Sequence, residues 1–332
     1  MVTLKDIAQK LGVSIRTVSH AVNNSGRISE ANRKLILKTV AEMGYFPDAA
    51  ARSLVTHRSR LLGVMVPFLS TSFYGAIISG LEEVARQNGY TLLLLNPPTG
   101  EDDYLQVCYS MMQRKVDGMI LYPSTLIRKA ADFIRKSQIP VVQLMDFAPE
   151  IGEVAVGVEN FKAAGEAVRE FYRTGCRHIA MISHDLNSPE VAERSRGFLA
   201  VMSELMPGYE PVIKESAVNT FDAYLKAVEL LTEHPETDAV FAASDFAALG
   251  VARAALEKGR DIPDDLSIIG FDNLDIASEQ LLYPFTTVAQ PKEEIGRCAG
   301  KMVLQLIEGK TVASKMLAAP LILRNTTRKH EE

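Results

Sequence analysis

A chain of 332 residues, 47% of them apolar, has room for two or three globular domains and does not read as disordered. No stretch offers the ~20 apolar residues that span a bilayer, and Lys5 and Asp6 interrupt the beginning before any signal-peptide core, so no membrane partner is expected and the chain should stay in the cytoplasm. The formal charge of -5 hides an uneven division: residues 1–60 carry ten Lys or Arg against Asp6, Glu30, Glu42 and Asp48, a net of +6, which leaves -11 for the rest. A basic head on an acidic body suits a nucleic-acid-binding module joined to a different domain, because phosphate neutralisation drives such binding. Cys108, Cys176 and Cys298 lie far apart with no Cys-x-x-Cys pair, so neither a disulfide framework nor a zinc site is expected.

Thr3 can cap a helix, with Asp6 reaching back from three residues later. Leu4, Ile7, Ala8 and Leu11 then line one helical face, and Gly12 supplies a left-handed stop. Ser14 can cap a second helix at once, in which Val18, Ala21 and Val22 face inward while Ile15, Arg16, Ser19, His20 and Asn23 point out. Two short helices with a tight turn make a helix-turn-helix, whose second helix fits the major groove of DNA. Ser25-Gly26-Arg27 reads as a loop. Ser29 and Glu30 open a third helix expected to carry Leu35, Ile36, Val40 and Met43 inward, with Gly44 ending it. A head this small should be only marginally stable.

Pro47 to Leu54 reads as an alanine-rich helix capped by Asp48, too short to hold in water alone. Thr56 to Arg60 is a polar, basic linker. From Leu61 the pattern changes to short apolar strands alternating with amphipathic helices, which predicts an α/β core of two parallel sheets buried on both faces. Strands are expected at Leu61–Pro67, Thr91–Asn96, Gly118–Tyr122, Pro140–Met145, His178–Ser183, Ala239–Ala243 and Leu266–Phe271, with helices such as Phe73–Gln87 and Phe161–Thr174 between them. The plan runs twice. Val116-Asp117-Gly118-Met119-Ile120 and Thr237-Asp238-Ala239-Val240-Phe241 suggest related halves, with crossings near Val154–Val158, Val288–Pro291 and Leu321–Arg324.

Ligands of open parallel sheets bind beyond the carboxyl ends of the strands. That rule selects Phe73 and Tyr74 after the first strand, Asn96 after the second, Tyr122 after the third and Asp146 after the fourth. In the second half it selects Arg194, Ser244, Asp245, Asp272 with Asn273, and Gln290. Aromatic faces suit the C–H face of a sugar ring, and carboxylates and guanidinium each bond two neighbouring hydroxyls, so a sugar or related polyol is the expected ligand. Each residue also has a plain structural role open to it: Asp245 as a helix cap, Asp272 as a turn cap, Phe73 or Tyr74 as core.

The run Val2-Thr3-Leu4-Lys5-Asp6-Ile7-Ala8, then Gly12-Val13-Ser14, Thr17-Val18-Ser19 and Val22-Asn23, closely resembles the beginning of lactose-repressor (LacI/GalR) family transcription regulators. Arg194-Ser195-Arg196-Gly197-Phe198, Ala243-Ser244-Asp245, Ile269-Gly270-Phe271-Asp272-Asn273 and Thr286-Thr287-Val288-Ala289-Gln290-Pro291 continue the likeness in family order. The resemblance implies a helix-turn-helix head over residues 1–46, a hinge helix and linker over 47–60, and a two-lobed periplasmic-binding-protein-like core over 61–332. Its lobes would be 61–158 with 291–318, and 159–290 with 319–332. It places the base-reading side chains at Ile15, Arg16 and His20, and the wider DNA contact set at Thr3, Ser14, Thr17, Ser19, Asn23, Arg27, Arg52 and Leu54. Leu54 would wedge between base steps of the minor groove. The family more often has Asn where Asp48 stands, Asn-Pro where Thr71-Ser72 stand, and Asn where Ser244 stands.

The function implied is a repressor acting on a near-palindromic operator under control of a small effector, as a homodimer without cofactor or metal. No leucine heptads trail at the end of the chain to build a tetramer. The rival is a sugar receptor of the periplasmic type without DNA function, which Met1 to Leu54 argue against. An enzyme is disfavoured because no Gly-x-Gly-x-x-Gly, Gly-x-Ser-x-Gly, His-Glu-x-x-His or Gly-Lys-Ser/Thr loop is present.

Overall fold

In the computed structural model the first helix, α1 (Leu4–Leu11), begins at Thr3, whose hydroxyl accepts from Asp6 N–H while the Asp6 carboxylate accepts from Thr3 N–H. Gly12, at φ +65°, ends it. Ser14 caps α2 (Ile15–Val22) by accepting from Thr17 N–H, and Ser29 caps α3 (Glu30–Glu42) in the same way through Asn32 N–H. Ile7, Ala8, Val18, Ala21 and Ile36 form the buried centre of this unit, with Leu4, Leu11, Val22, Val40 and Met43 packed around it. Leu35 does not turn inward as expected: it is 54% exposed, because the buried stripe runs through Ile36, Thr39, Val40 and Met43, one residue round the helix. Thr39 takes the place by bonding its hydroxyl to the Leu35 carbonyl.

The structure describes all residues except 1, 24, 46–57, 68, 70, 97–100, 123–127, 146, 187, 278–283 and 330–332, and omits the side chains of 101–103 and 128–129. The hinge helix expected over 47–54, with Arg52 and Leu54, therefore lies outside the described residues, as does Asp146. Residues 1–59 form one unit and 60–332 another.

Among its described residues the larger unit contains two six-stranded sheets. The first is made of β1 (Leu61–Met65), β2 (Thr91–Leu95), β3 (Gly118–Leu121), β4 (Val141–Leu144), β5 (Ala155–Val158) and β11 (Lys315–Leu317), in the spatial order β2-β1-β3-β4-β5-β11. The second holds β6 (Ile179–Ser183), β7 (Ile213–Glu215), β8 (Ala239–Ala242), β9 (Ser267–Phe271), β10 (Thr286–Val288) and β12 (Leu321–Ile322), in the order β7-β6-β8-β9-β10-β12. Both are the 2-1-3-4-5 winding with one added strand. The weak sequence repeat is thus a topological one, and its two segments occupy equivalent places: Asp117 accepts from Arg60 N–H before β1, and Asp238 accepts from Arg177 and His178 N–H before β6. The sheets are not wholly parallel, however, since β12 runs antiparallel to β10. The short strands β7 and β11 were not anticipated.

Alternate residues of each central strand point to opposite faces, and both faces are covered, which is why the strands read as continuous apolar runs. Leu62, Val64 and Ile120 pack under α4 (Ser72–Gln87) and α11 (Lys292–Ile307), whereas Met65, Met119 and Leu121 pack under α5 (Glu101–Gln113) and α6 (Arg128–Ser137). In the second sheet Ile179, Met181 and Phe241 meet α7 (Asn160–Arg173) and α8 (Pro189–Leu205). Ala180, Ile182 and Val240 meet α9 (Thr220–Glu233) and α10 (Asp245–Glu257) on the other face. Helices α4 and α11 approach so closely that a Cβ on Gly296 would stand 1.9 Å from the Ile77 carbonyl oxygen. The chain passes between the sheets three times, from β5 to α7, from β10 to α11 and from β11 to β12.

Candidate functional site

The outer face of α2 is polar and already organised. Ile15 is 49% exposed, and Arg16, Asn23 and Arg27 are exposed as well. Arg16 Nε donates to His20 Nε2 at 3.2 Å, and because a guanidinium only donates, a neutral His20 must carry its proton on Nδ1, facing Ser25 Oγ at 3.3 Å. Asn23 Nδ2 donates to Ser19 Oγ, and Ser14 and Thr17 share a hydroxyl bond of 2.8 Å. The Thr3 hydroxyl is engaged by Asp6. The face therefore presents an apolar tip beside a guanidinium and an imidazole, held by bonds within the helix.

The second site is a cleft of 230 Å³ between the carboxyl ends of the two sheets. It lies at the switch points, beyond the ends of the neighbouring strands β1 and β3 and of the neighbouring strands β6 and β8. Seven of the eleven residues selected from the sequence line it: Phe73, Tyr74, Tyr122, Arg194, Ser244, Asp272 and Gln290. Phe73 and Tyr74 meet edge to face with centroids 5.1 Å apart, and Tyr74 meets Tyr122 at 6.2 Å, so three rings form one wall. Opposite them Gln290 Nε2 donates to Asp272 Oδ1 at 2.6 Å, and Arg194 Nη1 lies 3.9 Å from the same oxygen. Asp272 and Asn273 take φ values of +108° and +51°, left-handed conformations that side chains rarely adopt and that recur at functional sites.

Arg194 lines the cavity and is also tied into the fold. Its Nε donates to Asn160 Oδ1, its Nη1 to the Ala243 carbonyl, and its guanidinium stacks 3.8 Å from the centroid of Phe271. Lys292 Nζ donates to the carbonyls of Asp272 and Asn273, fixing the end of β9.

Three selected residues do not line the cleft, among them Asn273, whose side chain accepts from Arg324 Nη2 instead. Asn96 is exposed, because β2 is the edge strand of its sheet, one position away from the switch point. Asp245 is fully buried and turned back into the second sheet, accepting from Thr287 Oγ1 and from Leu274 N–H. Nor does it cap α10; Ser244 does, through Ala247 N–H. Sequence reasoning missed His184, Ser188 and Glu190, all of which line the cavity. His184 follows β6 directly and the strand-end rule would have found it. Glu190 carries no such mark, reading only as an acidic residue in the first turn of a helix.

Burial governs the charges here. It lifts the Asp272 carboxyl to about 6, against the pull of Arg194 and Gln290, and lifts Asp245 to about 7 with help from the Asp272 charge. It holds His184 down at about 4, so the imidazole is neutral. Its Nε2 lies 2.7 Å from Ser244 Oγ. Burial and the Glu190 charge raise the phenols of Tyr74 and Tyr122, which stay protonated.

The signature of bacterial regulatory proteins of the lacI family matches residues 3–48, and that of the periplasmic binding protein-like domain matches residues 168–327. The chain is 33% identical over 329 residues to the transcriptional repressor CytR of Escherichia coli, covering 98% of this chain and 96% of that one. It is 31% identical to catabolite control protein A of Priestia megaterium, covering 96% of both. The chain belongs to the lacI family. As a lacI-family regulator it pairs a DNA-binding helix-turn-helix head with a ligand-binding core, and a receptor without DNA function is not favoured. Its fold matches that of a lac repressor dimer bound to operator and an anti-inducer, at a TM-score of 0.89 and 24% identity over 99% of both chains. No helix among the described residues is long and apolar enough to cross a membrane, and they hold no cluster of three metal-binding side chains.

Proposed function

We propose that this lacI-family chain is a cytoplasmic, non-enzymatic repressor whose homodimer grips a near-palindromic operator and whose grip is set by a sugar or sugar derivative in the cleft. Residues 1–46 serve as the head, 47–60 as hinge and linker, and 61–332 as the effector-binding core. The α2 helices of two subunits enter successive major grooves, with Arg16 pairing with guanine, Ile15 touching a thymine methyl and His20 bonding a base or phosphate. Thr3, Ser14, Thr17, Ser19, Asn23 and Arg27 contact the backbone around them, and the paired hinges place Arg52 and Leu54 in the minor groove.

One observation carries the effector reading: three aromatic rings from the first sheet face Arg194, Asp272 and Gln290 from the second across a single cavity. A ligand held from both sides biases the angle between the sheets and so the ordering of the hinge. Such coupling is typically about 1–3 kcal/mol and is reciprocal, so operator alters effector affinity as effector alters operator affinity. Deleting residues 1–60 tests the layout. The truncated core should lose operator binding in a gel-shift titration and keep its melting-temperature response to the effector; retained operator binding would overturn the assignment.

A further inference from the structure

The charges facing the cleft are unequal. Among the described lining residues Asp185, Glu190 and Asp272 oppose one cation, Arg194, two of whose nitrogens are already committed to Asn160 and the Ala243 carbonyl. His184 is kept neutral by burial, and Lys292, spent on two backbone carbonyls, does not line the cavity. The first turns of α8 and α10, where an anion would otherwise meet the positive end of a helix, hold Glu190 and Asp245.

Among the described residues, two oxygens on side chains that line the cavity have no hydrogen-bond partner, Glu190 Oε2 and Gln290 Oε1, and both are shielded from solvent. Their orientation is fixed by the other end of each group. Tyr122 OH donates to Glu190 Oε1 at 2.6 Å, and Gln290 Nε2 donates to Asp272 Oδ1, leaving Gln290 Oε1 as an acceptor on a residue only 4% exposed. A buried acceptor left without a donor is costly, and two of them bordering one cavity mark where a ligand's own donors belong.

We infer that Glu190 and Gln290 select an uncharged effector that donates hydrogen bonds to both, and that the cleft turns away phosphorylated or carboxylated counterparts. This rests on the effector reading above and narrows it. A phosphate or carboxylate brings acceptors to acceptors and negative charge to three carboxylates, in a site whose burial strengthens the repulsion.

The test uses the full-length protein and matched pairs: D-ribose and D-ribose 5-phosphate, D-glucose and D-glucose 6-phosphate, D-galactose and D-galacturonate, cytidine and cytidine monophosphate. Thermal shift finds a pair that binds and calorimetry compares its members. The neutral member should bind at least about tenfold more tightly than the charged one. In Glu190→Gln, neutral binding should weaken by about tenfold and the gap should narrow, because one acceptor and one charge are gone. Tyr122→Phe, which breaks the same contact and keeps the carboxylate, should preserve the gap. An anionic member that binds as well as its parent, or a gap unchanged in Glu190→Gln, overturns the selection alone. A protein that melts normally yet responds to no member of any pair overturns the sugar reading and the selection with it.

Discussion

Tyr122 and Glu190 join the two sheets from inside the cleft. The phenol at the end of β3 donates to a carboxylate in the first turn of α8, 68 residues further along the chain, at 2.6 Å. This bond spans the gap that an effector must enter. Tyr122→Phe removes the donor and leaves the carboxylate without its partner, at a cost of about 1 kcal/mol or more. The ligand-free core should melt a few degrees lower by calorimetry; an unchanged transition would mean that the contact contributes nothing.

Arg194 and Asp272 call for different experiments. Arg194→Ala strips donors from Asn160 and the Ala243 carbonyl and removes the guanidinium beside Asp272, a loss on the order of 3–5 kcal/mol, visible as a large drop in denaturant midpoint. Asp272→Asn preserves shape and is the better probe of binding. It should blunt the effector response in a gel-shift assay while operator affinity stays near the parent's, and an undiminished response would exclude Asp272 from ligand contact.

Asp245 makes stability depend on pH in an unusual sense. Its carboxyl is held at about 7 and that of Asp272 at about 6, both above the ordinary 3.8, so the folded core keeps protons that the unfolded chain releases. Their stabilising contribution is complete below the unfolded value and is lost as pH rises through 6 to 7. His184, pressed down to about 4, acts oppositely: its contribution is present above 6.5 and lost as pH falls through 4. Asp245→Asn can keep both bonds if the Thr287 hydroxyl rotates to accept. Relative to the parent it should gain stability between about pH 5 and pH 8 in urea titrations, with His184 common to both proteins. A difference that does not vary with pH would refute the raised carboxyl.

Gly296 is a packing requirement. A methyl group there would meet the Ile77 carbonyl at 1.9 Å, and backbone cannot yield as a flexible side chain can. Gly296→Ala should cost about 1–3 kcal/mol by separating α4 from α11, measured as a lower denaturant midpoint of the core.

On the DNA side, Arg16→Ala should remove about 1–3 kcal/mol of discrimination at one base position and free His20 from its Nε2 donor. Leu54→Ala should weaken specific binding far more than non-specific binding. Gel shifts against operator and scrambled duplex separate the two; equal losses on both would remove the base-reading and wedge roles.

The head was legible in the sequence almost residue by residue, because its determinants are local. A capping hydroxyl three residues from its amide, a glycine in the left-handed region and an apolar repeat of three and four all act within one turn of helix, and Thr3, Ser14, Ser29 and Gly12 do what their spacing implies. The strand-end rule carried equally well to Phe73, Tyr74, Tyr122, Arg194, Ser244, Asp272 and Gln290, since a parallel sheet fixes where every strand stops. What the tertiary structure alone decided was lateral order and side-chain direction. Asn96 fell away because β2 lies at the edge, Asp245 because its carboxylate found Thr287 and Leu274 N–H behind the sheet, and Leu35 because the buried stripe passes one residue beside it. Glu190 entered the cleft because the winding of two sheets sets the start of α8 against the end of β3. Contacts within one turn are written in consecutive residues, whereas a bond across 68 positions exists only once the chain has closed on itself.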